Sequence, residues 1–557
     1  MLNTKSLART LTALAVVCGF ATGCAVGDSD LERWQTTQGG PKRLSAVVLH
    51  DKYPFDLRVR AAMALIGMKP RKGRHVGIER LVKGTLYCDP DFDTEEEPCQ
   101  KHELTAEERS KINADLIPAI IAELQKPPPA PAQNGQAAPD PSFRYKDAAY
   151  LMLSYEGTEI IADANLRAQL EKALIDWAMA DFETRLEDRN QAYGMEQLLN
   201  YIGPASVERL PTLMVKEGRS LNKMADIVAR IGNKATKEEA GKALVEVAKR
   251  VGSKAWLEEK EPELREANRA RGLEGISEKG FKKQLERYQT ETMIRVFASM
   301  KKVGGDAVRD YALSVAANDD AEMSRRVASM AALEGHIGPK DAKAISTLFD
   351  IIEGKAPPQV KDKAFARVRE LPRDVAAERL YKIVSGKDWL LRRVAGTTLL
   401  TLSKVEHAKE YLDKLESFEI QNLHLDEVIK YGTYLGLLEG ADPLAKLEPR
   451  MKPGNKPVSR LSALAYWYAK GTKEDLDAIK PYLDDSQRIP KCDGKEGEDC
   501  GWTCTVEEKD KDVPKEIKTV GDFMTYCIKP KMMTNEPKKD EGSAKKKGGS
   551  GDKKDGK

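Results

Sequence analysis

The stretch RDVAAERLYKIVSGKDWLLRRVAGTTLLTL, residues 373–402, decides the fold class. In its first half, Val375, Leu380 and Ile383 recur at helical spacing, and charged residues occupy the opposite face. A second apolar stripe follows the turn SGKD and consists of Trp389, Leu390, Val394, Leu399 and Leu400. The stretch therefore predicts two helices joined by a short turn, a hairpin that cannot bury its apolar faces alone.

Two other stretches align with the second helix of this hairpin. RRVASMAALEG from Arg325 and DKAFARVRELP from Asp362 match RRVAGTTLLTL from Arg392. The alignment places Ala328, Ala364 and Ala395 at equivalent positions, 36 and 31 residues apart. Internal similarity at this spacing is typical of helical repeats, in which each hairpin packs on its neighbours.

Helix ends are marked by an apolar residue followed by glycine. The pair recurs at Ile202-Gly203, Ile231-Gly232, Val303-Gly304 and Ile337-Gly338. Because glycine adopts the left-handed conformation without steric cost, each pair predicts a helix C-cap. At the start of the last predicted helix of the array, Thr472 and Asp475 predict a capping box.

The aligned stretches resemble HEAT repeats, a family of α-solenoids. In that family an aspartate and an arginine of the second helix often accompany the apolar stripe, and Asp388 and Arg393 match this pattern, as do Asp56 and Arg60. The resemblance covers residues 46–486 and implies an all-α fold. It implies a right-handed α-solenoid of HEAT-like helical hairpins with small disulfide-stapled loops. Tetratricopeptide repeats are the rival interpretation, but their Trp-Leu-Gly…Tyr signature does not occur in this sequence.

The N-terminal residues predict export. Lys5 and Arg9 precede the apolar run LTALAVVCGF at 11–20, which is too short to span a bilayer. The segment ATGC at 21–24 resembles the bacterial lipoprotein signal, in which the cysteine is lipidated and becomes the first residue. The resemblance implies removal of residues 1–23 and lipidation of Cys24.

The residues around Cys24 also suggest a destination. Because Ala25 and not aspartate follows the cysteine, the family's rule implies sorting to the outer membrane, with a periplasmic or surface-exposed face. The alternative is ordinary secretion to the periplasm by cleavage after Gly23, since Ala21 stands where the family usually has leucine.

The charge distribution argues against nucleic-acid binding. The chain has 557 residues and a net charge of +3. Lys5 and Arg9 supply two of these charges, and the tail from Thr534 supplies three, so the body between them carries −2. Nucleic-acid binding requires a concentrated basic face, which a body of this charge does not predict.

The cysteines predict disulfides. Of the eight cysteines, Cys18 lies in the signal and Cys24 is the lipidation candidate. The other six form two clusters, Cys88 and Cys99 in one and Cys492, Cys500, Cys504 and Cys527 in the other. Paired clusters in an otherwise cysteine-free chain fit an oxidising compartment. Four cysteines allow three pairings, which the sequence leaves open, and their spacing lacks the Cys-x-x-Cys of zinc sites.

The loop CDPDFDTEEEPC at 88–99 is the weak candidate for a metal site. Asp89, Asp91 and Asp93 alternate as in a calcium loop. Thr94 stands where the EF-hand has glycine, and Gln100 stands where it has glutamate. We therefore predict an acidic loop closed by a disulfide, with no metal and no cofactor.

Composition predicts the boundaries. We expect a signal peptide at 1–23, a tether at 24–45 and N-terminal helical repeats at 46–126. The proline-rich segment PPPAPAQNGQAAPDPS predicts a linker at 127–142, followed by the main HEAT-like solenoid at 143–486. A cysteine-rich cap at 487–532 and a disordered Lys/Gly tail at 533–557 complete the chain.

No catalytic motif stands out in the sequence. Ser220-x-x-Lys223 and Ser299-x-x-Lys302 have the spacing of serine acyl-enzymes, without the companion motifs. We therefore predict a non-enzymatic, lipid-anchored scaffold of the cell envelope. Its expected partners are envelope proteins, its expected membrane contact is the N-terminal lipid, and no nucleic acid is expected. The alternatives are an enzyme acting on a cell-envelope polymer and a calcium- or glycan-binding module carried on a solenoid.

Overall fold

The computed structural model describes residues 26–71, 75–83, 104–127, 140–155, 160–187, 191–216, 220–273, 275–420, 422–489, 501–508 and 511–535. These residues are mostly helical, and a two-stranded antiparallel hairpin lies near the C-terminus. The chain divides into two units, Met1–Val247 and Ala248–Lys557. Among the helices described, none has the length and apolar content that crossing a membrane requires.

The first unit is built from short amphipathic helices. They are α1 (Asp28–Thr36), α2 (Gly40–Leu49), α3 (Phe55–Ile66), α4 (Val76–Lys83), α5 (Ala106–Leu124), α6 (Ser142–Ser154), α7 (Ala164–Ala180), α8 (Phe182–Glu187), α9 (Met195–Ile202), α10 (Leu210–Met214), α11 (Leu221–Ile231) and α12 (Lys234–Val251), whose last residues enter the second unit. A 3₁₀ turn covers Pro204–Val207.

The start of the first unit differs from the predicted tether at 24–45. That prediction is wrong from Asp28 onward, because α1 and α2 are helices. Leu31, Trp34 and Leu44 are buried, and both helices pack on α3. The segment is polar overall, which favoured the prediction of a tether. However, Leu31 and Trp34 are three residues apart and therefore lie on one face of a helix.

The second unit contains the longer helices. They are α13 (Lys254–Ala270), α14 (Glu278–Val303), α15 (Asp306–Ala317), α16 (Met323–Ala332), α17 (Ala342–Glu353), α18 (Pro358–Val368), α19 (Arg373–Val384), α20 (Trp389–Thr401), α21 (Ala408–Ser417), α22 (Leu425–Gly436), α23 (Leu444–Met451), α24 (Pro457–Leu464), α25 (Tyr466–Lys470), α26 (Leu476–Leu483), α27 (Val520–Phe523) and α28 (Lys529–Thr534). The strands are β1 (Thr503–Glu508) and β2 (Lys511–Glu516).

Helices of the second unit stack in two layers. In the inner row α14, α16, α18, α20, α22 and α24 each pack on the next member of the row. The helices between them, from α15 to α23, pack against this row, as in the contacts of α15 with α16 and of α23 with α24. The core between the layers includes Phe349, Phe365, Leu380 and Leu399, all buried.

Side-chain contacts recur at a nearly constant separation in sequence. Glu334 contacts Lys301 at 2.9 Å and Arg367 at 3.5 Å, so it joins residues 33 positions before and after it. In the first unit, Arg230 and Glu196 are 34 residues apart and form an ion pair at 3.0 Å. Pairs of helices of similar length therefore stack on one another in both units. Such stacking is the defining feature of a helical repeat.

The arginines that enter the core lie one or two residues before the predicted ones. Arg393 and Arg60 lie on the surface, where they pair with Asp426 and with Asp28 and Asp56. The buried arginines are Arg392 and Arg58, at 0% and 8% exposure. Arg393 and Arg60, the residues matched to the family pattern, are therefore not the arginines that enter the core.

Several buried arginines share one position relative to the start of their helix. Four of the buried arginines are each the fourth residue after an N-cap: Arg58, Arg326, Arg392 and Arg460. In three of them Nε donates to a carbonyl of the preceding helix: Arg58 to Val48 at 2.8 Å, Arg326 to Ala316 at 2.9 Å and Arg460 to Met451 at 2.8 Å. The guanidinium thereby satisfies carbonyl groups that the helix end leaves free.

The glycine pairs are only partly helix ends of the predicted kind. Gly203 and Gly304 are C-caps with φ of 81° and 65°. Gly232 caps α11 in an extended conformation, and Gly338 follows a turn and caps no helix. The capping box of Thr472 and Asp475 is confirmed, with Asp475 accepting from the Thr472 backbone N–H at 2.9 Å.

The apolar stripe of α20 is also partly corrected. Leu399 and Leu400 are buried, but Leu390 is 49% exposed. Position 390 lies in the first turn of α20, and the face that turns inward there begins at Arg392.

The C-terminal segment packs on the last helices of the second unit. Trp502 donates from Nε1 to the carbonyl of Leu423 at 3.1 Å, and its ring lies 6.4 Å from that of Phe523. A disulfide joins Cys504 in β1 to Cys527 in the π-helical turn Met524–Ile528. Among the described residues, this hairpin is the one element with strands, and the predicted all-α fold did not include it.

Candidate docking groove

A groove lies between α19 and α21, on the outer layer of the second unit. Its volume is about 440 Å³, within the range of roughly 300–1,000 Å³ that is common for binding pockets. The lining residues are Arg373, Asp374, Ala377, Glu378, Tyr381, Lys382, Ser385, Glu410, Lys414 and Phe418. The two helices face each other without the close packing that joins neighbours of the inner row.

The amphipathic character of α19 creates the floor of the groove. Leu380, Ile383 and Val384 turn inward and are buried, which directs Ala377 and one face of Tyr381 toward α21. The Tyr381 ring is 8% exposed and lies 6.3 Å from the buried ring of Tyr411. The floor is therefore apolar and aromatic, and it is held rigid by the core beneath it.

Arg373 connects the two walls. It is the first residue of α19, and its Nη2 donates to Glu410 of α21 at 2.8 Å. Its Nε donates to the hydroxyl of Ser403 at 3.1 Å, and Nη2 lies 3.4 Å from the hydroxyl of Tyr381. The Arg373 guanidinium therefore links α19 to α21 and fixes the distance between the two walls at this end of the groove.

Electrostatics keep the tyrosine neutral. Burial, together with the nearby Glu410 carboxylate, raises the pKa of Tyr381 far above its ordinary value. The phenol is therefore protonated at physiological pH and can act as a hydrogen-bond donor or acceptor. On the opposite wall the Lys414 ammonium lies 5.9 Å from the centre of the Tyr381 ring, at the limit of a cation–π contact.

The α19 rim carries two free carboxylates. Asp374 and Glu378 are exposed and stand four residues apart, so they share one face of the helix. Within the described residues, neither carboxylate has an ion-pair or hydrogen-bond partner. The neighbouring cations are occupied elsewhere, since Lys382 and Arg379 both pair with Glu353, at 3.4 Å and 2.8 Å.

A second cleft, of about 540 Å³, lies between α13 and α14. Four of its five charged side chains pair with each other: Lys260 with Glu263 at 3.2 Å, and Arg287 with Glu291 at 2.7 Å. Arg271 is the fifth, so among the described residues the cleft offers a ligand one unpaired charge, whereas the α19–α21 groove offers the two carboxylates of Asp374 and Glu378.

Most of the sequence-predicted site residues lie outside the described residues. This holds for the lipidation candidate Cys24, for Cys88, Cys99, Cys492 and Cys500, and for the weak metal candidates Asp89, Asp91 and Asp93. Of the C-terminal cluster, the structure shows the pair Cys504 and Cys527, which is one of the pairs that the sequence left open. In the part of the chain that the structure describes, no three His, Cys, Asp or Glu side chains are grouped as metal ligands.

The Ser-x-x-Lys matches are not assembled as catalytic pairs. Ser220 is buried at 1% exposure, whereas Lys223 is exposed on the first turn of α11. Ser299 is buried in α14, and its hydroxyl donates to the carbonyl of Arg295 at 3.1 Å. Back-bonding of this kind is an ordinary feature of serine within helices.

The groove residues were not identified from the sequence. The polar face of α19 is typical of a solvent-exposed helix face. Glu378 stands four residues before Lys382, a spacing that predicts an ion pair between them. The structure turns Lys382 to Glu353 of α17. The aromatic residues Tyr381 and Phe418 are visible in the sequence. The sequence around each of them does not show that they border one groove.

Comparisons with known proteins add no assignment: no family model, no curated protein and no solved structure matches this chain.

Proposed function

We propose that the protein is a scaffold that holds a protein partner in the groove between α19 and α21. The observation that carries the proposal is the combination of a rigid aromatic floor with unsatisfied carboxylates on its rim. Tyrosine and arginine are enriched in the energetically important centres of protein interfaces, and Tyr381 and Arg373 line this groove.

The stacking of helical pairs supports the same function. We take the stack to be a right-handed, HEAT-like α-solenoid, a class of fold that offers extended surfaces for binding other proteins. Contacts at separations of 33 to 37 residues, such as Lys301 with Glu334 and Arg373 with Glu410, hold successive pairs in register. A rigid stack can present a groove without reorganising when a partner binds.

The proposed location is the cell envelope, with a lipid on Cys24 as the membrane anchor. The support is the N-terminal signal pattern, and the disulfide of Cys504 with Cys527 suits an oxidising compartment. Fractionation of cells tests the anchor: wild type should sediment with membranes, and Cys24→Ser should not. Equal membrane retention of the two proteins would remove the anchor from the proposal.

Site-specific photo-crosslinking in cells tests the scaffold function. A photoreactive phenylalanine analogue at Ala377, in the groove, should yield one dominant crosslinked envelope protein. Ala366 on α18 is the matched control, because it is the same residue type, is also half-buried and does not line the groove. The absence of a product at Ala377, or equal products at both positions, would contradict the proposal.

A further inference from the structure

We propose that the partner segment in the α19–α21 groove is a basic peptide that carries an apolar anchor residue. The inference rests on the proposed function of the groove and adds the chemistry of the occupant. Two observations carry it: the unsatisfied carboxylates of Asp374 and Glu378, and the apolar floor beside them formed by Ala377, Tyr381 and Phe418.

The unpaired charge on the two walls differs. On the α21 wall, Glu410 is bound by Arg373, and Lys414 lies near the Tyr381 ring. On the α19 wall, Asp374 and Glu378 pair with no cation among the described residues. The cations of the same wall, Arg373 and Lys382, pair instead with Glu410 and Glu353. A partner's lysine or arginine side chains are therefore attracted to α19, while Lys414 repels them from α21. This asymmetry orients the peptide across the groove.

The floor selects for an apolar side chain. Tyr381 and Phe418 present carbon surface at the base of the groove, and Ala377 leaves room above α19 because its side chain is a single methyl. An aliphatic or aromatic anchor can bury there, and basic residues on either side of it reach the rim. Burial of one anchor in a rigid pocket is the usual centre of such interfaces.

The chain's own C-terminal tail fits this description poorly. Residues 536–557 contain eight lysines, but their apolar content is limited to Pro537, Ala544 and glycines. The tail can supply charge to the rim, but it has no large side chain for the floor. The geometry therefore favours a segment of another protein, and competition by the tail becomes an outcome of the test.

Fluorescence anisotropy with two designed peptides tests the inference. The basic probe is GKALFKALFKAG, and the acidic probe is the same peptide with every lysine replaced by glutamate. Purified wild type should bind the basic probe roughly tenfold more tightly than the acidic one. The charge reversal Asp374→Lys with Glu378→Lys should invert this preference, and circular dichroism should confirm that the helices are retained.

A matched control separates the groove from general electrostatics. Asp362→Lys with Glu286→Lys makes the same change in net charge at exposed positions outside the groove, and it should keep the wild-type preference. The inference is overturned if this control inverts the preference, or if reversal of the groove carboxylates leaves it unchanged. Tighter binding of the basic probe after removal of residues 536–557 would instead identify the tail as the occupant.

The outcomes distinguish this inference from the proposed function. If the photoreactive group at Ala377 captures a partner but charge reversal leaves that capture and the probe preference unchanged, the groove is a docking site for a different chemistry. If Ala377 captures nothing in cells, the proposed function itself fails, whatever the synthetic probes do.

Discussion

At the scale of single residues, the stability of the second unit depends on a buried ion pair. Arg392 and Glu427 are both 0% exposed and form a bidentate pair at 2.9 Å through Nε and Nη2. Nη1 donates to the carbonyls of Gly386 and Lys387, so the same guanidinium also closes the turn before α20. Arginine suits this position because its planar fork satisfies several acceptors at once.

Glu427→Gln should destabilise the protein strongly. The substitution leaves the Arg392 charge buried without a counter-ion, which typically costs about 3–5 kcal/mol. Asp426→Asn is the control, because it removes the exposed partner of Arg393 and should cost at most about 1 kcal/mol. Urea unfolding of the two variants measures both changes. Equal losses would show that the buried pair is unimportant for stability.

His424 should make stability sensitive to mildly acidic pH. Its ring stacks on Trp389 with 4.1 Å between centroids, and burial, aided by Arg392, lowers the pKa of His424. The unfolded chain therefore binds a proton at a higher pH than the folded chain does. Stability is full above the ordinary histidine pKa of about 6.5 and declines as the pH falls below it.

Thermal unfolding at about pH 7.5 and pH 5.5 measures this dependence. His424→Phe keeps a ring against Trp389 and should show a smaller drop in melting temperature than wild type does. His50→Gln, a substitution of an exposed histidine, should keep the wild-type drop. An unchanged drop in His424→Phe would assign the pH sensitivity to other groups.

At the scale of elements, close approach of helices matters more than helix propensity. A Cβ atom on Gly432 of α22 would lie 2.3 Å from the carbonyl carbon and Cβ of Ala465, at the junction of α24 and α25. No real contact is that short, so the helices must separate to accept any side chain. Glycine in the middle of α22 is therefore required by packing.

Gly432→Ala should destabilise the protein, although propensity alone predicts a gain of about 1 kcal/mol. Overpacking against backbone typically costs about 1–3 kcal/mol, and it should exceed that gain. Gly280→Ala in α14 is the control, because its new Cβ would meet only the side-chain atoms Ile276 Cγ2 at 3.1 Å and Ser277 Oγ at 3.3 Å. Chemical denaturation should show a loss for Gly432→Ala and little change for Gly280→Ala; the opposite order would contradict the packing argument.

At the scale of the whole chain, the second unit ends in an element of a different kind. The hairpin pairs Val506 with Val513, and it is too small to be stable alone. Trp502 attaches it to the carbonyl of Leu423, and the disulfide attaches it to the segment before α28. This C-terminal segment covers apolar residues of the last helices, among them Trp467 and Ile479, which are buried.

Removing the disulfide should release this segment first. The bridge spans 23 residues, and the chain-entropy model assigns such a loop about 3 kcal/mol. In Cys504→Ser with Cys527→Ser, amide hydrogen exchange should accelerate in β1 and β2, while α14 to α18 keep their protection. Wild type under reducing conditions should reproduce the pattern. Unchanged exchange in the hairpin would show that packing of Trp502 alone holds the segment.

The sequence by itself determined the helical class, the approximate repeat spacing and the capping box at Thr472. These features depend on local chemistry: apolar residues spaced one turn apart define helix faces, and side chains near a terminus satisfy its free backbone groups. The grouping of six cysteines into two clusters also follows from the sequence, because it requires only their positions.

Only the tertiary structure decided which polar residues are buried and where the groove lies. Arg392 and Arg393 are adjacent and chemically identical, yet only Arg392 is buried, where it meets Glu427 from 35 residues away. Asp374 and Glu378 remain free because Lys382 is drawn to Glu353 of another helix. Such choices depend on contacts between successive helical pairs about 35 residues apart, and no pattern within one helix contains them.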